Sequence, residues 1–317
     1  MRVAITSARA LIALAMLLAV HACDDRTPEQ AATSDPVAQR QAMIAIESAL
    51  ASSRVDDALL IARRLVEVAP ESASAHELLG RALIARSLGE GDPLKATALA
   101  QEAWSAYRQA VSIGDPAAGL LNAAGVTAQS AGDPGAAIRL FERAAEKEPS
   151  NPQHPLFAGL ALHRVGRDDE ARRALDRAAL LAPDSPWPVA GLSSIALAAG
   201  DSEEALALAR RARAIDPTTD ELRVVEAKAL RRLGRSADVL TLLLALPEAS
   251  RFTDAVTFEI AAAYLALGDR PAAARARALF AEHTTTAKSA LEAAAAWDEA
   301  GDGVQAESWR RVAAERR

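Results

Sequence analysis

Three kinds of residue are scarce in this chain of 317: it has one cysteine, four lysines and eleven aromatic side chains. Each scarcity excludes something. A single thiol closes no intrachain disulfide, so no covalent staple supports the fold. Eleven aromatics are too few to furnish the pleated faces of a large sandwich or barrel, which draw on β-branched and aromatic residues. The lysines (Lys95, Lys147, Lys228 and Lys288) are outnumbered by arginine, a pattern of genomic codon bias, and the formal net charge is −6. Binding a polyanion needs a net basic face, so nucleic acid is not the expected partner. Chemistry is scarce as well. The sequence has no glycine-rich phosphate loop, no GxSxG elbow and no HExxH helix. His76, His154, His163 and His283 lack the spacing of zinc ligands, so no metal, no cofactor and no catalytic residue is expected. Long apolar runs are also missing: the one candidate, residues 10–20, falls short of the roughly 20 residues a spanning helix needs.

What is abundant is alanine, with 79 residues, in a chain that is half hydrophobic and one quarter charged. Alanine, leucine, arginine and glutamate are the strong helix formers, and this composition can bury a core. The expected class is all-α.

At the N-terminus, Arg2 and Arg9 precede the apolar run, which ends in Val20-His21-Ala22-Cys23. That is the layout of a secretory signal. It resembles a bacterial lipoprotein signal, in which a small residue precedes a cysteine that is lipidated and becomes the new N-terminus; His21 departs from the small residue usual at its place. Ordinary cleavage after Ala22 would give the same mature start. The sole cysteine standing there, and the lack of a second one in an exported chain, both favour lipidation. Residues 1–22 are therefore expected to be a signal peptide and residues 23–38 a lipidated Cys23 with a polar, flexible tether. Loss of Arg2 and Arg9 would take the formal charge from −6 to −8. The tether would reach at most about 50 Å when extended. The expected location is a bacterial membrane facing the periplasm, inner or outer, with Asp24 pointing mildly to the inner one.

A period of 34 residues organises the rest. Gly132, Gly166, Gly200, Gly234 and Gly268 are each 34 apart, and Pro149, Pro183 and Pro217 keep the same interval. Helical patterns lie on both sides of each glycine, for example 121–131 and 136–148. The unit is thus two antiparallel helices joined by a glycine turn, with proline ending the second. Small residues recur where the helices cross: Gly80, Gly125, Gly159, Ser193, Ala227, Ala261 and Ala294 on first helices, and Ala58, Ala103, Ala137, Ala171, Ala205, Ala273 and Ala306 on second helices. Close approach of two backbones requires this.

The pattern xxLGxxLxxxGxxxxAxxxFxxAxxxxP, clearest over residues 121–149, resembles the tetratricopeptide repeat family. The resemblance covers about 39–316 and implies a right-handed α-solenoid of seven to eight helix pairs. We place the repeats at about 39–72, 73–117, 118–151, 152–185, 186–219, 220–253, 254–286 and 287–317. Ser53 takes the glycine place in the first. In the second, Gly91-Asp92-Pro93 reads as a cap opening a helix over 93–112 about two turns longer than its siblings. In the sixth, Pro247 comes four positions early and predicts a short second helix. The last ends in a charged helix, as a terminal repeat needs for solubility.

The resemblance also implies a function. First helices of such repeats line a groove, and the matching positions here are Glu77, Arg81, Asn122, Val126, Gln129, Leu156, Leu160, His163, Arg164, Trp187, Ser194, Leu197, Glu221, Lys228, Arg231, Arg232 and Phe258. An apolar centre with a tryptophan and a basic end at 228–232 suits a peptide segment with an acidic side. Of the set by which some family members clamp a C-terminal carboxylate, only Asn122 matches. The expected activity is a non-enzymatic adaptor for a protein or peptide partner in the cell envelope, such as a pilus or secretin, an exopolysaccharide exporter or a peptidoglycan-remodelling machine. A peptide- or glycan-binding chaperone is the alternative. A helical-solenoid hydrolase is a remote one, with Glu226 as its only candidate carboxylate and an ion pair to Arg223 as that residue's bland explanation. The acidic doublets Asp56-Asp57, Asp168-Asp169 and Glu203-Glu204 are expected to complement helix N-termini.

Overall fold

The structure is a computed structural model describing residues 36–284 and 286–316. The expected signal segment and Cys23 lie outside these residues. The tether does so only in part, because helix α1 (Pro36–Ala51) takes up its last three positions.

Seventeen helices and no strand are found among the described residues, and the chain divides into two compact units, residues 1–149 and 150–317. The first unit holds three antiparallel pairs: α1 with α2 (Val55–Val68), α3 (Ala73–Leu88) with α4 (Pro93–Ser112), and α5 (Ala118–Ser130) with α6 (Pro134–Lys147). The second holds five: α7 (Gln153–Arg164) with α8 (Asp168–Leu181), α9 (Pro186–Ala199) with α10 (Ser202–Ile215), and α11 (Asp220–Arg232) with α12 (Ser236–Leu244). After a single turn, α13 (Glu248–Arg251), come α14 (Asp254–Ala266) with α15 (Arg270–Glu282), and α16 (Ala287–Glu299) with α17 (Gly303–Glu315). Within each unit the second helix of one pair packs on the first helix of the next.

The periodic glycines do what the spacing predicts. Gly132, Gly166, Gly200, Gly234 and Gly268 have φ between 72° and 91°. In each turn the following amide reaches back six residues inclusive to a helix carbonyl, as in Asp133 N to Ala128 O (2.8 Å) and Asp269 N to Tyr264 O (2.9 Å). This satisfies a carbonyl the helix end would otherwise leave orphaned. Ser53 occupies the same place with φ 56° and the same bond, Arg54 N to Ala49 O at 2.8 Å. A side chain in this left-handed region costs about 1 kcal/mol, so Ser53→Gly should raise stability by roughly 0.5–1 kcal/mol. A urea midpoint unchanged or lowered in that variant would refute the strain.

Every small residue read as a crossing point is buried. The packing is of a large side chain on a bare backbone. An added Cβ on Gly80 would stand 2.6 Å from the Tyr107 ring, one on Gly125 2.6 Å from the Phe141 ring, and one on Gly159 2.7 Å from Leu175 Cγ. Burial pushes the Tyr107 phenol up to about 12, with Glu77 adding to the shift and Arg81 opposing it. Folding thus favours the neutral phenol.

Two departures from the period appear as expected. Helix α4 has 20 residues against 14 in α6, begun by Pro93 at its first position and by Asp92, whose carboxylate accepts from Leu94 N at 2.9 Å. Helix α12 has nine residues against 14 in α10. The acidic doublets do lie in the first turns of α2, α8 and α10.

Candidate functional site

Three first helices of the second unit, α7, α9 and α11, lie side by side, and α14 continues the row against α11. The buried residues of these helices are mostly small or apolar, and the sequence-derived positions of this unit are half-buried or exposed.

On α7, Leu156 and Leu160 are half-buried, and Leu160 leans over the bare backbone at Gly191 of α9. His163 Nδ1 lies 2.6 Å from Asp168 Oδ1 at the start of α8, which orients the ring, and Arg164 is exposed. On α9, Trp187 is 44% exposed at the first turn. Ser194 donates its hydroxyl to Ala190 O at 3.2 Å, and Leu197 packs against the buried cluster around Leu230 and Ile260. On α11, Lys228 and Arg232 are exposed and form no ion pair among the described residues. Phe258, on α14, is 51% exposed. Asn122 and Gln129 are half-buried on α5, in the first unit.

Arg231 has a different occupation. Its Nε donates to Glu259 Oε2 at 2.6 Å, and Glu259 is buried to 2% side-chain exposure. Its charge is therefore spent inside the protein. The guanidinium also stands 5.9 Å from the centre of the Phe258 ring, while Arg277 stands 6.0 Å away from it. Arg277 is in turn held by Asp254 Oδ1 at 2.8 Å and by Glu292 Oε2 at 2.5 Å. Two neutralised guanidiniums thus brace Phe258 and leave part of its surface free, an arrangement worth about 0.5–1 kcal/mol per exposed cation–π contact.

Glu226 is buried to 4% side-chain exposure, and its partner is not Arg223 one turn earlier. Arg210 Nε donates to Oε1 at 3.0 Å, and Arg213 Nε lies 2.7 Å from Oε2, both from α10. The Arg223 Nε is buried without a hydrogen-bond partner. The reason is geometric: from α10 two guanidiniums reach the carboxylate across the helix interface. The buried carboxylate thus lies between two guanidiniums of the preceding helix, the arrangement of an ion pair across a helix interface. Among the described residues no group of three potential metal ligands occurs, and no helix is long and apolar enough to cross a membrane.

Sequence reasoning missed Glu259 and Arg277. The available signal was a glutamate inside an otherwise apolar helix stretch, Val256 to Ala263, the same kind of signal that drew attention to Glu226.

A tetratricopeptide repeat family profile matches residues 128–188. No curated protein matches the chain by sequence. Among solved structures, a tetratricopeptide repeat protein from Parabacteroides merdae superposes with a TM-score of 0.63 at 13% identity, covering 87% of this chain and 98% of that one. Yeast Tom70 gives 0.53 at 15% identity, covering 92% and 68%, and PilF of Pseudomonas aeruginosa 0.52 at 13%, covering 69% and 94%. At these identities the likeness is one of fold: paired helices stacked into tetratricopeptide-repeat solenoids.

Proposed function

We propose that this tetratricopeptide-repeat chain is a non-catalytic scaffold of the bacterial cell envelope, anchored through a lipid on Cys23, whose second unit binds a protein or peptide segment along α7, α9, α11 and α14. The observation that carries the binding reading is the pairing of exposed, rigid aromatics with uncompensated cations on one row of helices. Trp187 and Phe258 offer apolar anchors of the kind that dominate protein interfaces. Lys228 and Arg232 offer charge that no internal carboxylate neutralises. A segment with apolar residues toward α9 and acidic residues toward the end of α11 satisfies both. The envelope reading rests on the sequence before residue 24: a short apolar run after two arginines, and the only cysteine at the cleavage site.

Cross-linking in intact membranes followed by mass spectrometry tests both halves. A discrete protein partner should be trapped. Trp187→Ala combined with Lys228→Glu and Arg232→Glu should lower its recovery about tenfold or more, with helicity unchanged. Cys23→Ser should move the chain to the soluble fraction. Recovery of self-links only would sink the scaffold, equal recovery in the triple variant would sink the face, and a Cys23→Ser chain that stays in membranes would sink the anchor. Arg231 is unsuited to the binding test, because its loss disturbs the fold.

A further inference from the structure

A cavity that shares only α14 with the row of first helices described above lies where α12 stops early. The corresponding helix α10 runs to Ile215, whereas α12 ends at Leu244 and the chain turns through α13 before α14 begins. Where a sibling helix would continue, the second unit has a cavity of about 270 Å³ between α12, α13, α14 and α15. Its walls are apolar where Leu244, Ile260 and Leu279 line it, and polar where Arg251, Arg275 and Tyr264 do.

Arg251 is the informative member. Its Nε is buried and has no hydrogen-bond partner, and neither Arg251 nor Arg275 forms an ion pair among the described residues. Other half-buried guanidiniums of this unit stand against carboxylates, Arg213 by Glu226, Arg231 by Glu259, and Arg277 by Asp254 and Glu292; Arg223 shares the unpartnered Nε, but of the two only Arg251 lines the cavity. A desolvated guanidinium edge without an acceptor is costly in a folded protein. The position is also fixed. Phe252, the next residue, stacks on His283 with ring centres 3.6 Å apart and planes at 11°, and His283 Nδ1 bonds the carbonyl of Leu279 at 2.8 Å. That stack pins the end of α13 to the end of α15, so Arg251 is presented by a braced segment.

We propose that this cavity binds a short aliphatic carboxylate, its oxygens received by Arg251 and Arg275 and its hydrocarbon body lying on Leu244, Ile260 and Leu279. A guanidinium recognises a planar carboxylate through paired N–H donors, and apolar walls reject ligands polar along their length. The volume sets the size. At roughly 30 Å³ per water-sized group there is room for about nine, which admits hexanoate with about eight non-hydrogen atoms. The same end group occurs on free short-chain acids and at the C-terminus of a polypeptide ending in an aliphatic residue.

Methyl NMR of the full chain titrated with hexanoate, hexanamide, and a pentapeptide ending in leucine with either a free or an amidated C-terminus tests the site. Hexanoate should shift the methyls of Leu244, Ile260 and Leu279 with a dissociation constant on the order of 1 mM, and hexanamide should bind at least about tenfold more weakly. If the peptide with a free C-terminus binds more tightly than hexanoate and its amide does not bind, the carboxylate is a chain end. If hexanoate binds and the peptide does not, it is a free acid. Arg251→Met should weaken hexanoate about tenfold or more. Arg275→Gln should weaken it too, and Ala276→Leu, which puts a larger side chain into the cavity lining and keeps both arginines in the chain, should abolish it. No shift with hexanoate, equal shifts with hexanamide, or undiminished binding in Arg251→Met and Arg275→Gln would overturn the proposal. The groove variants at Trp187, Lys228 and Arg232 lie on other helices and should leave hexanoate binding intact.

Discussion

Arg231→Met should lower the free energy of unfolding by about 3 kcal/mol or more, while Glu259→Gln, at the other end of the same ion pair, should cost distinctly less. The asymmetry follows from exposure. Glu259 is buried at 2%, and among the described residues Arg231 is the one that bonds it, through Nε at 2.6 Å and Nη2 at 3.5 Å. Removing the arginine strands a carboxylate in an apolar interior. Removing the carboxylate leaves an arginine whose side chain is already 31% exposed and can turn to water. Glu226 provides the internal comparison, since Arg210 and Arg213 both face it. Loss of Arg210 alone should cost only about 1 kcal/mol, because the second guanidinium remains. Urea unfolding followed by tryptophan fluorescence ranks the three variants. If Arg210→Met proves as damaging as Arg231→Met, the one-partner argument is wrong.

The interlock of Gly125 with Phe141 should give a change of sign. In the parent chain Gly125→Ala should be destabilising by about 1–2 kcal/mol, even though alanine is the better helix former by about 1 kcal/mol. The new methyl would sit 2.6 Å from a rigid, fully buried ring. Phe141→Ala alone should cost about 3–5 kcal/mol through the cavity it opens. In that background the ring atoms that stand nearest the methyl are gone, so Gly125→Ala should turn stabilising by about 1 kcal/mol. A double-mutant cycle reads the coupling directly. Additive effects would mean that ring and glycine do not share the space the geometry gives them.

Features set by period were legible in the sequence, and features made by two distant segments were not. Gly132 and its equivalents announced left-handed turns because only glycine is at ease there. Alanine at 103, 137 and 171 announced close crossings, because its positions repeat while its neighbours vary. The short α12 could be read from Pro247. What could not be read was the destination of the chain after it, since nothing local to Arg251 says that residues 260 and 279 stand opposite. The partners of Glu226 were misassigned for a related reason. Arg223 is near in sequence, whereas Arg210 and Arg213 come from the preceding helix across a turn. Arg231 was placed among the groove positions, but the carboxylate that neutralises it lies 28 residues on. The groove itself was inferred from the family resemblance, and Trp187 and Phe258 are exposed.

The alanine-rich crossings also govern how the molecule responds to temperature. Buried alanine contributes one methyl group and no rotamer entropy, so each crossing forms without freezing side-chain torsions and conceals little hydrocarbon from water. Hydration of newly exposed hydrocarbon is what gives unfolding its large positive heat capacity, and that heat capacity bends the curve of stability against temperature. With Ala58, Ala62, Ala103, Ala137, Ala171, Ala205, Ala209 and Ala212 among its buried residues, this chain should show a smaller heat capacity of unfolding per residue, and so a flatter stability curve, than a core of larger side chains alone would give.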